Sequence, residues 1–196
     1  IIEEHISGIP GDTFIEEHLD SLSDQDKKSI AKEFVKFNER CFIRLLGDMR
    51  SYNYVFVLTH DFDKIDYRIR AIDFDQQSFE GNSKVYKPQF LKENNELVEM
   101  TLSLMQKESM EQYKNEERSL LAKRASSEYD RLTALLNCMK KDKLSTPAKI
   151  KELKKELFSL TKDIRFRRSK NMGDIVSSAL DFVKRNYENV NPYIIR

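Results

Sequence analysis

The stretch GDMRSYNYVFV at residues 47–57 interrupts a helical pattern and then becomes a run of β-branched and aromatic residues. It carries an acid at Asp48, a base at Arg50 and an amide at Asn53 within six positions. Glycine is common just past helix ends, and loops between a helix and a strand often carry binding or catalytic side chains. The stretch therefore predicts a helix end, a polar loop and the start of a strand.

A long amphipathic helix is predicted directly before this loop. Apolar residues recur at steps of four, three, four and four, at positions 30, 34, 37, 41 and 45, which is helical spacing. Ser23 can cap the start of this helix, and Gly47 can end it. Further upstream, DTFIEEHLDSL at 12–22 predicts a short helix capped by Asp12, and the apolar segment before it predicts a strand and a turn.

Two strands are predicted after the loop. YNYVFVLTH at 52–60 and YRIRAIDFD at 67–75 show strand-like composition and alternation, and the polar sequence DFDKID lies between them. An antiparallel hairpin is the simplest connection of two such strands. Asp73 would then stand at the end of the second strand, at the mouth of the core. The following segment, 78–92, predicts an irregular connector because glycine, asparagine and proline interrupt it.

The remaining chain is helical in pattern. Residues 94–146 contain no glycine or proline, and a further helix is predicted to begin at Pro147 and to run through Ile164. The two regions are predicted to pack as an antiparallel helical hairpin over 94–165. A last helix is predicted to begin near Asp174.

The predicted fold class is therefore mainly α, or α+β overall. It combines a small β-hairpin beside the polar loop with an additional C-terminal helical hairpin. Two units are predicted, a core at 1–92 and a helical subdomain at 93–196. The chain opens on Ile1-Ile2 without a methionine, in what resembles the middle of a strand, so a fragment of a longer protein is expected.

Overall composition indicates no particular partner. The chain has 34 basic and 33 acidic side chains, which gives no general attraction to nucleic acid or to an anionic membrane. No apolar run reaches the roughly 20 residues that a membrane span needs, and two cysteines without a CxxC pair favour the cytoplasm. IRFRRSK at 164–170 is kept as a possible phosphate or partner contact, although a solvated helix face is the favoured interpretation.

The spacing of Asp48 and Asn53, D-x4-N, is weak by itself. The same spacing recurs at Asp181 and Asn186. That second pair lies inside an uninterrupted helical pattern, where positions five apart point in different directions. Only the first pair lies between a helix end and a strand start, where a loop can bring the two side chains together.

The order of these segments resembles a known family. LGDMRSYNYVFV at 46–57, followed by AIDFD at 71–75, resembles the catalytic loop and metal-binding segment of the protein-kinase-like fold. The closest branch is that of the aminoglycoside and choline phosphotransferases, with the patterns H-G-D-x4-N and I-D-[FW]-[DE]. The start, IIEEHISGIPGDTFIEEHL at 1–19, resembles the hinge of that family. The resemblance covers about 1–90, and it departs from the family pattern at Leu46, where histidine is usual.

The resemblance implies a role for each polar residue of the loop. Asp48 would be the base that orients an acceptor hydroxyl, and Arg50 would contact the transferring phosphate. Asn53 and Asp73 would hold Mg²⁺, with Asp75 as a further ligand, because this ion prefers hard oxygen ligands. The separation of Asn53 from Asp73 is longer than is usual in the family.

The resemblance also implies partners. The backbone of Glu4, His5 and Ile6 would bind the adenine of ATP, and an N-terminal lobe outside these residues would supply a glycine-rich loop and a lysine. The expected activity is transfer of the γ-phosphate of ATP to a hydroxyl of a small molecule or a protein, with the isolated fragment inactive. The acceptor and the oligomeric state are left open.

Two alternatives remain at this point. The first is a pseudokinase, in which the same fold presents a binding surface without catalysis, as the residue at Leu46 would allow. The second is an α-helical interaction protein built on the predicted hairpin at 94–165. The first alternative is tested by mutation of Asp48, and the second by the oligomeric state in solution.

Overall fold

The computed structural model of the chain describes residues 6–62, 64–75, 83–141, 143 and 145–190, the last seven as backbone only. These residues form eight α-helices and one small antiparallel sheet of three strands. The predicted fold class, mainly α with a small β component, is confirmed. No helix in the described ranges combines the length and the apolar character that are needed to cross a membrane.

The strands are β1 (Ile9–Pro10), β2 (Tyr54–Asp61) and β3 (Lys64–Ala71), in the spatial order β1-β2-β3. The helices are α1 (Gly11–Glu17), α2 (Asp24–Arg44), α3 (Asn95–Leu104), α4 (Lys107–Ser127), α5 (Tyr129–Lys141), α6 (Pro147–Thr161), α7 (Ile164–Arg168) and α8 (Met172–Val190). Short 3-10 turns cover Ser51–Asn53 and the connector from Ser83 to Asn94.

The predicted hairpin is present, but it is tighter than the sequence pattern indicated. β2 and β3 pair along their whole length, from Tyr54 opposite Ala71 to Asp61 opposite Lys64. β2 ends at Asp61 and β3 begins at Lys64, so most of the polar DFDKID is strand. At the other end β3 stops at Ala71, and Asp73 therefore lies two residues beyond the strand instead of within it.

The N-terminus of α2 follows the prediction, and its C-terminus does not. Ser23 caps the helix, because its hydroxyl accepts a hydrogen bond from the backbone N–H of Asp26. The helix ends at Arg44, and Leu45 rather than Gly47 takes the left-handed conformation, with φ of 50°. A left-handed leucine costs about 1–2 kcal/mol, whereas full burial of its side chain contributes about 1.5–3 kcal/mol. Leu45 is fully buried, so packing outweighs the backbone cost.

The N-terminal segment lies against the loop that follows α2. β1 pairs with β2, with Ile9 opposite Phe56. α1 begins at Gly11, and the predicted cap Asp12 instead lies in its first turn, where it accepts from the N–H of Thr13 at 2.8 Å. A Cβ at Gly11 would lie 2.4 Å from the carbonyl oxygen of Ser51. Only glycine therefore permits this close contact between α1 and the loop.

Helix pairing in the C-terminal half differs from the predicted hairpin. α8 packs along α4 and α5, whereas α6 packs on α7 and on the turn at Ser83–Tyr86. The pattern through Ile164 is broken, because Lys162 has φ of 59° and Asp163 caps a separate short helix. α8 buries an apolar stripe, formed by Met172, Ile175, Ala179 and Val183, in the second core described below.

Two hydrophobic cores meet on α2. The first lies under the sheet and contains Phe34, Phe37 and Cys41 from α2, and the second lies among the C-terminal helices and contains Phe42 and Ile43. Neighbouring helical residues point about 100° apart, so one helix serves both cores. α2 thereby fixes the loop that follows it against both halves of the chain. The division into 1–92 and 93–196 stays a prediction.

Candidate functional site

The loop after α2 is organised around the backbone carbonyl of Asp48. This oxygen accepts hydrogen bonds from the N–H of Arg50 and from the side-chain nitrogen Nδ2 of Asn53, each at 2.8 Å. Asp48 has φ of 54°, a left-handed conformation that turns its carbonyl into the loop, and its own N–H donates to the carbonyl of Val85 at 3.1 Å. The structure therefore brings Asp48 and Asn53 together in one loop.

Asn53 is fixed in orientation and presents its oxygen. The residue is buried, with 8 % of its surface exposed. Since Nδ2 donates to Asp48, the amide oxygen Oδ1 must point the other way, and no donor within the described residues binds it. Oδ1 is not one of the buried side-chain oxygens that lack a partner in the described residues, so it is open to solvent. Asn53 Oδ1 is thus an oriented oxygen ligand without a protein partner.

A backbone hydrogen bond of the preceding residue, Ile72, holds Asp73 near Asn53. The N–H of Ile72 donates to the carbonyl of Asn53 at 3.0 Å, which extends the pairing of β2 and β3 by one hydrogen bond. The half-buried carboxylate of Asp73 accepts from the N–H of Asp75 at 3.1 Å through Oδ1. This bond orients one oxygen of Asp73 and places Asp75, an exposed residue, at the outer end of the same turn.

The oxygen atoms of Asn53 and Asp73 suit a magnesium ion that is also bound by the phosphate oxygens of a ligand. No three His, Cys, Asp or Glu side chains in the described ranges converge on a point that could hold a metal ion. Mg²⁺ is ordinarily bound by one or two carboxylates together with phosphate oxygens and water, and a complete protein cage is not needed. One amide oxygen on Asn53 and one carboxylate on Asp73 match that pattern.

Arg50 is held between two acids. Its Nε donates to Asp48 Oδ1 at 2.8 Å, and its Nη1 donates to Glu93 Oε1 at 3.1 Å. The hydrogen bond and charge of Asp48, together with the charge of Glu93, raise the pKa of the Arg50 guanidinium above its ordinary value. Only Oδ1 of Asp48 takes part in this contact, and Oδ2 has no hydrogen-bond partner within the described residues.

A buried amide on the connector braces the loop. Asn94 has no exposed surface. Its Nδ2 donates to the carbonyls of Met49 and Pro88, each at 2.9 Å, and its Oδ1 accepts from the hydroxyl of Tyr54 at 2.8 Å. The loop is therefore tied at two points, Met49 and Tyr54, to the start of α3.

Sequence reasoning missed Asn94 and the second partner of Arg50, Glu93. An asparagine directly before a helix is ordinarily a cap, and Asn94 occupies the capping position of α3 without making the capping bond. No local pattern distinguishes the two roles. Leu46, the position at which the sequence departs from the pattern it resembles, is buried in the first core. Bracing of the loop comes instead from Asn94 and from the carbonyl of Val85.

The predicted hinge is described only in part. Glu4 and His5 lie outside the described residues, and Ile6 is a half-buried residue directly before β1. Of the predicted site residues, the structure thus brings Asp48, Arg50 and Asn53 into one hydrogen-bonded loop. It places Asp73 and Asp75 on the adjoining turn.

Comparison with known proteins adds no family to this description. No family model matches the chain, no curated protein sequence matches it, and no solved structure matches it. The functional proposal consequently rests on the loop geometry and on general chemistry.

Proposed function

We propose that this chain is the substrate-side lobe of an ATP-dependent phosphotransferase, which transfers the γ-phosphate of ATP to a hydroxyl of a small molecule or a protein. One observation carries the proposal. The hydrogen bond from Asn53 to the carbonyl of Asp48 closes the loop and leaves the amide oxygen of Asn53 and one carboxylate oxygen of Asp48 without a partner in the described residues, while the backbone of Asn53 is bonded to Ile72, the neighbour of Asp73. Phosphoryl transfer depends mostly on positioning and charge, which these fixed groups supply.

Asp48 acts as the base in this proposal. Its Oδ1 is fixed by Arg50, so Oδ2 accepts the hydrogen bond of the acceptor hydroxyl. Oδ2 receives the hydroxyl proton as the new oxygen–phosphorus bond forms and the bond from the γ-phosphorus to the bridging oxygen breaks, which releases ADP. Arg50 remains positively charged and lies next to the carboxylate, where it favours negative charge on the transferring phosphate. Glu93 keeps the guanidinium in place throughout.

Asn53 and Asp73 would hold Mg²⁺, and Asp75 would be a further ligand. When bound, the ion would neutralise the charge of the phosphate oxygens of ATP. The protein fixes both principal ligands before the ion arrives, because the carbonyl of Asp48 orients Asn53 and the N–H of Asp75 orients Asp73. Such outer contacts strengthen binding by reducing the ordering that the ion must impose.

The proposal also includes the residues that bind the nucleotide and the cellular location of the protein. The backbone at Glu4, His5 and Ile6 would bind adenine, and an N-terminal lobe would supply the remaining phosphate contacts. Two free cysteines, Cys41 and Cys138, support a cytoplasmic location, where thiols stay reduced and ATP is available.

The proposal is tested by nucleotide binding to the full-length protein. Isothermal titration calorimetry with ATP in the presence of Mg²⁺ should give an affinity that Asp73→Ala weakens by about 10–100-fold, because a metal ligand is lost. Asp181→Ala is the matched control, since it removes an aspartate with the same D-x4-N spacing, and it should leave the affinity unchanged. An Asp73→Ala protein with unaltered, Mg²⁺-dependent ATP affinity would contradict the proposal.

A further inference from the structure

A second cavity, of about 480 Å³, lies between α2, α4 and the β2–β3 hairpin. It adjoins the candidate site through Leu46 and Phe74, but its lining contains neither Asp48, Asn53 nor Asp73. Its lining has an unusual concentration of positive charge against a single acid, Asp66. Five arginines contribute to it, namely Arg40, Arg44, Arg68, Arg70 and Arg124.

Two of the five arginines are compensated by buried acids. Arg40 donates to Glu33, to Glu117 at 3.0 Å and to the carbonyl of Ile69 at 3.1 Å. Arg68 lies 3.4 Å from Glu33 and 3.8 Å from Glu117. Although burial alone would lower the pKa of Arg40, the charges of Glu33 and Glu117 raise it above its ordinary value. Two carboxylates therefore balance these two guanidiniums.

The other three arginines have no such balance. Within the described residues, the guanidiniums of Arg44, Arg70 and Arg124 make no ion pair and no hydrogen bond. Part of Arg44 is open to solvent, yet burial lowers the pKa of its guanidinium, and the like charges of Arg40 and Arg124 lower it further. Burial and two neighbouring like charges thus disfavour the charged form of Arg44, and an anion bound beside it would favour that form.

The floor of the cavity is apolar. It is formed by aromatic and aliphatic side chains, among them Phe37, Val57, Ile69 and Phe74. Small-molecule sites usually occupy about 300–1,000 Å³, and the volume of this cavity lies in that range. Phe37 and Ile69 are buried, so Val57 and Phe74 present most of the apolar surface, which a bare inorganic anion would leave without a contact.

The charge balance favours a dianion. Three unpaired guanidiniums and one carboxylate, Asp66, leave about two positive charges, and a phosphate monoester carries about −1.5 to −2 at neutral pH. Guanidinium groups also match the geometry of phosphate oxygens through paired N–H donors. A monocarboxylate would leave part of the positive charge unbalanced.

We infer that this cavity binds the phosphate monoester of a small apolar or aromatic molecule, with the phosphate on Arg44, Arg70 and Arg124 and the body against the floor near Phe74. The site goes beyond the proposed phosphotransfer and requires no metal ion. Sequence reasoning had kept the basic cluster at 164–170 instead. There Arg165 is paired with Asp163, whereas the unpaired arginines come from three separate elements.

Phenyl phosphate is a suitable probe, because it joins a dianionic phosphate to a flat apolar ring. Calorimetric titration of the full-length protein in EDTA should give one site per chain. Phenyl phosphate should bind at least about tenfold more tightly than inorganic phosphate or phenol, since each of these reaches only half of the cavity. Absence of phenyl phosphate binding up to about 10 mM would overturn the inference.

Variants locate the site. Arg70→Gln, and the double variant Arg44→Gln with Arg124→Gln, should each weaken phenyl phosphate binding at least about tenfold through loss of charge-assisted hydrogen bonds. Thermal unfolding should be unchanged, because these side chains form no ion pair in the fold. Arg131→Gln, which removes an exposed arginine of α5, is the matched control. Equal weakening by this control would show that general charge attraction is responsible, and no weakening by the cavity variants would place the binding elsewhere; either result overturns the inference.

A last comparison separates this site from the phosphotransfer site. Asp73→Ala should leave phenyl phosphate binding unchanged in EDTA, and the arginine variants should leave Mg²⁺-dependent ATP binding unchanged. Failure of ATP binding alone would remove the proposed function and leave the cavity assignment intact. If phenyl phosphate binding instead requires both Mg²⁺ and Asp73, the cavity belongs to the phosphotransfer site and the inference is overturned.

Discussion

The chain contains the spacing D-x4-N twice, and the two copies have unrelated structures. At Asp48 and Asn53 the chain forms a loop that is closed by a hydrogen bond between the two residues. Asp181 and Asn186 lie within one helix, α8, and positions five apart on a helix are rotated by about 140°. The carboxylate of Asp181 pairs instead with Arg165, at 3.7 Å.

The difference lies in where the aspartate carbonyl points. In a helix that carbonyl accepts the N–H four residues later, so a side chain five positions away has no access to it. Asp48 has a positive φ, and its carbonyl is turned toward the N–H of Arg50 and the amide of Asn53. Spacing therefore specifies a site only where the backbone leaves the helix between the two residues.

The largest expected effect concerns turnover. If Asp48 is the base, Asp48→Asn should reduce ATP turnover in the full-length protein by about 10²–10⁴-fold, because the amide cannot accept the proton. Asp181→Asn, the same change at the second D-x4-N, should have no effect. Release of ADP under saturating Mg²⁺ and ATP measures both. Equal turnover in the parent and in Asp48→Asn would favour a binding module without catalysis.

A smaller effect is expected from the residue that braces the loop. Asn94→Ala should lower the free energy of unfolding by about 2–4 kcal/mol, because the carbonyls of Met49 and Pro88 and the hydroxyl of Tyr54 lose their partner in a buried position. Asn137→Ala, on the exposed face of α5, is the control and should change stability by less than about 0.5 kcal/mol. Urea unfolding of both proteins measures the difference.

Failure of that prediction would have a clear meaning. If Asn94→Ala and Asn137→Ala unfold at the same urea concentration, the three hydrogen bonds of Asn94 do not stabilise the loop. The comparison between the loop that Asn94 holds in place and α8, which carries the second D-x4-N, would then lose its physical basis.

Replacement of the aspartate by glycine should have the smallest effect, and the resulting change in stability should have opposite signs in the two copies of D-x4-N. Asp48→Gly removes the cost of a left-handed aspartate and should stabilise the protein by up to about 1 kcal/mol, since the partly exposed pair with Arg50 contributes little. Asp181→Gly places glycine inside α8 and should destabilise the protein by a few tenths to about 1 kcal/mol. Thermal unfolding shifts of the same sign would contradict the assignment of backbone strain to Asp48.

The features that the sequence predicted well are local. The cap at Ser23 and the β2–β3 hairpin both follow from neighbouring residues, whose side chains either bond to the adjacent backbone or alternate between two faces. The proximity of Asp48 and Asn53 was likewise predictable, because a loop of known length joins them. The end of α2 was not predictable, since the burial of Leu45 depends on the distant C-terminal helices of the second core.

Features that combine distant segments escaped prediction. α8, and not the predicted α6, packs on α4 and α5. The helical patterns of the two segments do not indicate which of them takes that position. Asn94 reaches the loop from 45 positions away, and a composition or spacing pattern cannot detect such a contact. For the same reason the cationic cavity could be found only once three elements were placed together.

The most direct test of the central claim is to locate the metal ion on the protein. Mn²⁺ can replace Mg²⁺ with ATP bound, and its unpaired electrons broaden nearby NMR signals. In the isotope-labelled full-length protein, the amide signals of Asn53 and Asp73 should disappear on addition of Mn²⁺ and ATP and return with excess Mg²⁺. Those of Asp181 and Asn186 should stay sharp. Bound ATP and Mn²⁺ that leave the signals of Asn53 and Asp73 unbroadened would contradict the account.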